Sequence, residues 1–244
     1  MKSIFISDPL AFQRRLPRPA PTTCEWIVDN KEYRNWLSRE SHQDILWIKG
    51  RAGVGKTVLS SFLLDIFQPR FANVCFFFFD TVNTQQKTAL LALRSILHGL
   101  FEAHHCLLQY AMQFFTTRNV AILDDLVTMW DIFSLCLKDP SIGDVVCVLD
   151  ALDECEQPGR DELLGYIKAF DSQMKQFGEG KKVVKFLFTI KDALWQRGNQ
   201  LVLESSDVTE KIVENVEYAI NHEVDTMPAL RHWYGAMENE VKSF

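Results

Sequence analysis

The sequence has no surplus of basic residues: 26 Lys and Arg stand against 32 Asp and Glu, a formal charge of -6. Proteins that grip a polyphosphate backbone concentrate Lys and Arg on one face or stripe, so nucleic acid is not an expected partner. The one basic run, Arg14, Arg15 and Arg18, is interleaved with Pro17, Pro19 and Pro21 and reads as a solvated linker, because proline-rich segments resist packing. Long apolar runs are missing too. The most apolar stretch, Val74 to Phe79, is far short of the ~20 residues that span a bilayer, so no membrane segment is expected. Cys24, Cys75, Cys106, Cys136, Cys147 and Cys155 form no CxxC pair and no Cys/His ligand spacing, which leaves structural zinc without a candidate. Cys75 and Cys147 sit inside apolar runs as small buried thiols, and no secretory signal precedes them, so an intracellular, cytoplasmic setting is expected. His98, His104 and His105 have no carboxylate or cysteine at ligand spacing and are assigned no metal.

What remains is the composition of an ordinary globular chain, 47% apolar and 24% charged over 244 residues, enough for one α/β domain with short appendages. Residues 1–21 show no sustained period and end in the proline cluster, as an arm or linker does. Thr22 stands three residues before Glu25, the spacing of a capping box, and predicts a short helical segment running through Trp36 and Leu37. Asp44 to Gly50, Asn73 to Phe79, Val145 to Leu149 and Val183 to Ile190 are compact apolar runs that suit strands buried on both faces. Between them Thr57 to Phe67, Lys87 to Phe115 and Asp161 to Phe170 carry helical spacing, and the Gly178 to Gly180 stretch reads as flexible. Buried strands alternating with helices predict a doubly wound, mainly parallel sheet flanked by helices.

Two motifs carry chemistry. Gly50-Arg51-Ala52-Gly53-Val54-Gly55-Lys56-Thr57 matches the phosphate-loop pattern G-x-x-x-x-G-K-[ST] at every required position. Glycines let successive backbone amides close on a phosphate, and the helix that follows adds the positive end of its dipole. Gly50 through Thr57, with Val58, are therefore the candidate cofactor-binding residues, Lys56 bridging β- and γ-phosphates and Thr57 offering its hydroxyl to magnesium. The pattern alone arises by chance in on the order of one chain in a hundred of this length. A strand before it and a helix after it make chance much less credible. The second motif is Val145 to Glu154, an apolar strand that runs into Asp150, Asp153 and Glu154. A carboxylate at the C-terminal tip of a buried parallel strand lies where open α/β sheets bind ligands, so Asp150 is the second candidate magnesium ligand, held by a strand next to the loop. Asp153 or Glu154 could orient or deprotonate an attacking water and are the candidate catalytic residues.

The stretches TCEW (23–26), LWIKGRAGVGKT (46–57), VLDALDEC (148–155) and KFLFTIKDA (185–193) together resemble the NACHT branch of the STAND ATPases, in particular nephrocystin-3-like N-terminal domains. The resemblance covers about residues 20–205 and implies a P-loop NTPase fold and an ATP-operated signalling switch whose nucleotide state controls self-association or protein partners. It assigns Lys56 and Thr57 to the phosphate loop, Asp150 to magnesium, and Asp153 and Glu154 to the acidic catalytic positions. The expected organisation is an arm over 1–21, the nucleotide domain over 22–205 and a helical extension over 206–244. Two departures bear on activity. That family usually ends its fourth-motif strand in Thr-Ser-Arg, whereas this chain has Thr189-Ile190-Lys191, a cation that cannot bind a phosphate in a bidentate fork. The winged-helix and repeat regions typical of the family have no counterpart within these residues.

The expectation is therefore Mg-ATP binding with slow hydrolysis, and the alternative is a non-enzymatic interaction module stabilised by ATP or ADP. A small-molecule phosphotransferase would need a mobile basic lid, which the sequence does not offer. GTP is disfavoured because no Asn-Lys-x-Asp guanine reader occurs.

Overall fold

The computed structural model describes residues 16–41, 43–118, 123–175, 182–191 and 199–226. Arg14, Arg15, the 178–180 glycine stretch, residues 192–193 of the last family motif and residues 227–244 lie outside them. Five strands, β1 (Ile45–Lys49), β2 (Asn73–Phe78), β3 (Val145–Asp150), β4 (Val184–Ile190) and β5 (Asn199–Val202), form one sheet in the order β2-β3-β4-β1-β5. Every pairing is parallel. All six residues of β3 and all seven of β4 are buried, as expected of central strands covered on both faces.

The period of two along each strand sorts side chains into two cores. On one face Trp47, Cys75, Phe77, Cys147, Leu149, Phe186 and Phe188 meet the helices α3 (Ala89–Ala103), α4 (Leu108–Arg118), α5 (Leu126–Lys138) and α6 (Gly159–Lys175). On the other, Leu46, Ile48, Val146, Val148 and Leu187 meet α1 (Lys31–Leu37), α2 (Lys56–Phe67) and the start of α7 (Ser206–Thr226). Trp47 and Phe188 face each other across β1 and β4 with ring centroids 4.6 Å apart. Each such buried ring contributes ~1.5–3 kcal/mol. Cys75 and Cys147 are register partners and buried, as the apolar runs around them predict. Among the described residues no helix is long and apolar enough to cross a membrane.

The four predicted strands are present and the helix after the phosphate loop spans Lys56–Phe67. Other expectations need correction. Thr22 does not cap a helix: its φ is 65° and its hydroxyl donates back to the Pro21 carbonyl at 2.6 Å. The helix begins at Lys31, where the Asn30 side chain accepts from the amides of Glu32 and Tyr33. The long helical region from Lys87 breaks at His104, whose φ of -137° and ψ of 85° are not helical, and α4 resumes at Leu108. The helix α5, capped by Asp125, and the short edge strand β5 were not foreseen. Nor is β3 a neighbour of β1, because β4 lies between them. The end of the N-terminal arm rests on the domain, with Leu16 buried in the second core and Arg18 paired with Asp65 at 2.7 Å.

A buried charge lies at the opposite end of the sheet from the phosphate loop. Lys185 in β4 is 1% exposed, and its ammonium donates to Asp44 Oδ1 at 2.8 Å and to the Ser38 carbonyl at 3.0 Å. Removing one partner of a buried pair costs more than the pair contributes, because the survivor stays desolvated. Asp44→Ala is therefore expected to lower unfolding free energy by ~3 kcal/mol in urea titrations, and adding Lys185→Met to restore most of it. A double variant no more stable than Asp44→Ala alone would contradict this account.

Candidate functional site

The turn from β1 into α2 is tight because of its glycines. Gly53 and Gly55 take φ of 80° and 94°, in the left-handed region where a side chain is strained. Gly50 is required for a different reason: a Cβ there would lie 2.7 Å from Val54 Cγ1 and 3.2 Å from Leu203 Cβ. The helix then starts at Lys56, so the free amides and positive dipole end of α2 face the mouth of the turn. Such an end attracts anions. Ala52 is exposed, and so is Arg51, whose amide donates to the Glu204 carboxylate.

Lys56 is 8% exposed, and its ammonium reaches back across the turn to the carbonyls of Gly50 (2.5 Å) and Arg51 (2.7 Å). Burial pushes this amine below its ordinary pKa, against the pull of Asp153 and Asp150. Among the described residues its hydrogen-bond partners are two neutral carbonyls, which leaves a desolvated cation without a directly bonded counter-charge there.

Asp150 ends β3 and is 1% exposed. Its Oδ2 accepts from Thr57 Oγ1 at 2.7 Å, and its Oδ1 accepts from Ser60 Oγ and Thr189 Oγ1, each at 2.7 Å. Thr189 Oγ1 in turn accepts from the Ala151 amide at 2.7 Å, which fixes the direction in which it donates. Burial pushes the Asp150 carboxyl up, while the three hydroxyls and Lys56 hold it down. The strand tip thus adjoins the phosphate loop although β4 separates the two strands, because Thr57 leans across to it from the first turn of α2. Ser60 and Thr189 were not among the expected site residues. A readable signal existed for Ser60, which stands three residues after Thr57 on the same helical face.

Asp153 and Glu154 occupy the 3-10 turn Leu152–Glu154 just beyond β3, which the left-handed Ala151 (φ 53°) starts. Both engage Lys191, the residue after β4. Its amide donates to Asp153 Oδ1 at 2.9 Å, and its ammonium lies 2.5 Å from Glu154 Oε1 and 3.6 Å from Asp153 Oδ2. The Glu154 hydrogen bond is the main cause holding the Lys191 amine above its ordinary pKa. The other Glu154 oxygen accepts from the Thr81 amide at 3.3 Å.

Beside the loop lies a cavity of about 290 Å³, bounded by Gly53, Val54, Gly55 and Val58 on one side and by Cys24, Trp26, Ile212 and Asn215 on the other. With its amide oxygen turned toward donors, Asn215 accepts from Trp26 Nε1 at 3.2 Å and from the Cys24 amide at 3.1 Å, tying α7 to the N-terminal segment. The walls are mostly apolar with a few polar groups, the make-up of a small-molecule site.

Residues 22–190 match the family described as Nephrocystin 3, N-terminal, which is most of the chain. The chain belongs to this family. A relative among characterised proteins is the vegetative incompatibility protein HET-E-1 of Podospora anserina, 24% identical over 135 residues. That match covers 53% of this chain and 10% of HET-E-1, so the chain spans a small part of that protein. Among solved structures, C. elegans PCH-2 aligns over 73% of this chain and 38% of its own, with 10% identity and a TM-score of 0.35. This chain is a nephrocystin-3-like N-terminal domain of NACHT type whose all-parallel, helix-flanked sheet is consistent with a P-loop NTPase fold, and the glycine turn and Asp150 lie together at the C-terminal edge of that sheet.

Because burial raises the Asp150 pKa, the carboxylate charge opposes folding above the unfolded value near ~3.9, and the opposition disappears once both states are protonated. Asp150→Asn, free of that cost, is expected at pH 7 and without ligands to melt no lower than the parent, the gap closing as pH falls to about 4. Thermal melts across that range read it directly, and a variant melting several degrees lower at pH 7 would refute the sign.

Proposed function

We propose that this domain binds Mg-ATP and serves as the nucleotide-controlled module of a signalling switch, with slow hydrolysis. The observation that carries the reading is the 2.7 Å bond from Thr57 Oγ1 to Asp150 Oδ2, which joins the phosphate-loop motif to the acidic strand motif. A phosphate-metal site needs both patterns side by side.

In this reading the phosphates lie against the turn from Gly50 to Gly55 and the first turn of α2, and Lys56 exchanges its carbonyl partners for phosphate oxygens. The donors at Thr57 and Asp150 are hard oxygens, one neutral and one anionic, and fit magnesium. Magnesium, when bound, neutralises charge on the β- and γ-phosphates. Ser60 and Thr189 keep Asp150 aimed at that position. The 290 Å³ cavity next to the turn receives the base and ribose, with Trp26 and Val58 supplying apolar walls. Glu154 and Asp153 act on the attacking water. We assign the nucleotide domain to 22–205, with the helical extension from 206 closing the base cavity through Ile212 and Asn215. The nucleotide state is read out by protein partners or self-association.

The second reading, a module that holds ATP or ADP without turning it over, draws on the ion pair between Lys191 and Glu154. Lys56→Ala is expected to reduce ATP affinity at least about a hundredfold in calorimetric titrations, since a buried charge-assisted contact is lost. Unchanged affinity would sink the site assignment. Glu154→Gln should keep ATP affinity and lower phosphate release, and steady-state release in the parent equal to that of Lys56→Ala, despite ATP binding, would select the second reading.

A further inference from the structure

Lys191 sits at the tip of β4, the strand between β1 with its glycine turn and β3 with its carboxylates. Its ammonium is 2.5 Å from Glu154 Oε1 and 3.6 Å from Asp153 Oδ2, and its amide donates to Asp153 Oδ1. The Thr81 amide takes Glu154 Oε2. Both oxygens of the proposed base therefore already accept hydrogen bonds, and both acids share one cation. Glu154 is 23% exposed and Lys191 42%, so water reaches both groups of the pair.

We propose that Lys191 is a brake: a positioning residue that holds Glu154 and Asp153 in an ion pair and so limits how readily they take a proton from water. This rests on the Mg-ATP reading above. In hydrolysis a water oxygen bonds to the γ-phosphorus, and the bond from that phosphorus to the β,γ-bridging oxygen breaks with its electron pair leaving on ADP. The proton given up by the water passes to a free lone pair on Glu154 and then to solvent, and inorganic phosphate departs. A lone pair that accepts from an ammonium is not free for that transfer. The brake acts on the proton-transfer step and not on nucleotide capture, because the cation's partners lie on the acidic turn and not on the glycine turn.

The test compares steady-state phosphate release and ATP titration for the parent, Lys191→Met and Lys191→Arg in the whole chain. The Lys191 side chain is 42% exposed, so the variants are expected to fold as the parent does. Removing the ammonium is expected to raise kcat about threefold or more, the scale of a partly exposed ion pair, with KM and ATP affinity within about twofold. Arginine, which keeps the charge, should return kcat to the parental level, and Glu154→Gln should abolish the gain. A kcat for Lys191→Met at or below that of the parent, including no turnover in either protein, overturns the brake. ATP binding retained in that case leaves the nucleotide reading standing; absence of ATP binding in the parent removes both.

Discussion

The geometry of the candidate site depends on one buried carboxylate. Asp150 accepts three hydroxyl hydrogen bonds from two separate elements: Thr57 and Ser60 on α2, and Thr189 on β4, all at 2.7 Å. A carboxylate at 1% exposure is costly, and three hydroxyls that also tie the glycine turn to the sheet offset part of that cost. The same bonds leave Asp150 little freedom to turn. In the proposed Mg-ATP site, the carboxylate is thereby held in place before any ligand arrives.

Two features keep that point of the fold in place. The apolar cores on both faces bury β3 and β4 completely, so the strand tips cannot shift without disturbing Trp47, Phe186 and Phe188. At the other end of β4 the Lys185–Asp44 pair anchors the strand against the loop before β1. β4 thus carries one buried charge contact at each end, with Thr189 and Lys191 serving the site and Lys185 serving the frame. Insertion of β4 between β1 and β3 is what sets Lys191 beside the acidic turn.

Much of this was legible in the residues. Strands β1 to β4 show as apolar runs because they are largely covered on both faces, and the phosphate-loop motif shows because its glycines, Lys56 and Thr57 recur at fixed spacing. The edge strand β5, Asn199–Val202, did not show, since a short half-polar segment has no period of its own and pairs only because β1 offers a free edge. The Thr22–Glu25 spacing imitates a helix cap, while Asn30 supplies the real one for the helix that starts at Lys31. Ser60 looked like an ordinary helix residue.

The sequence by itself determined the fold class, the position of the phosphate turn and the acidic strand tip, because those rest on backbone conformation and burial that local residue patterns specify. Only the tertiary structure decided the strand order, the three hydroxyls around Asp150, the cavity closed by α7 and the pairing of Lys191 with Glu154 and Asp153. Those are contacts between residues far apart in the chain, and which of many equally polar side chains meet is set by how the sheet is wound, which no local pattern records.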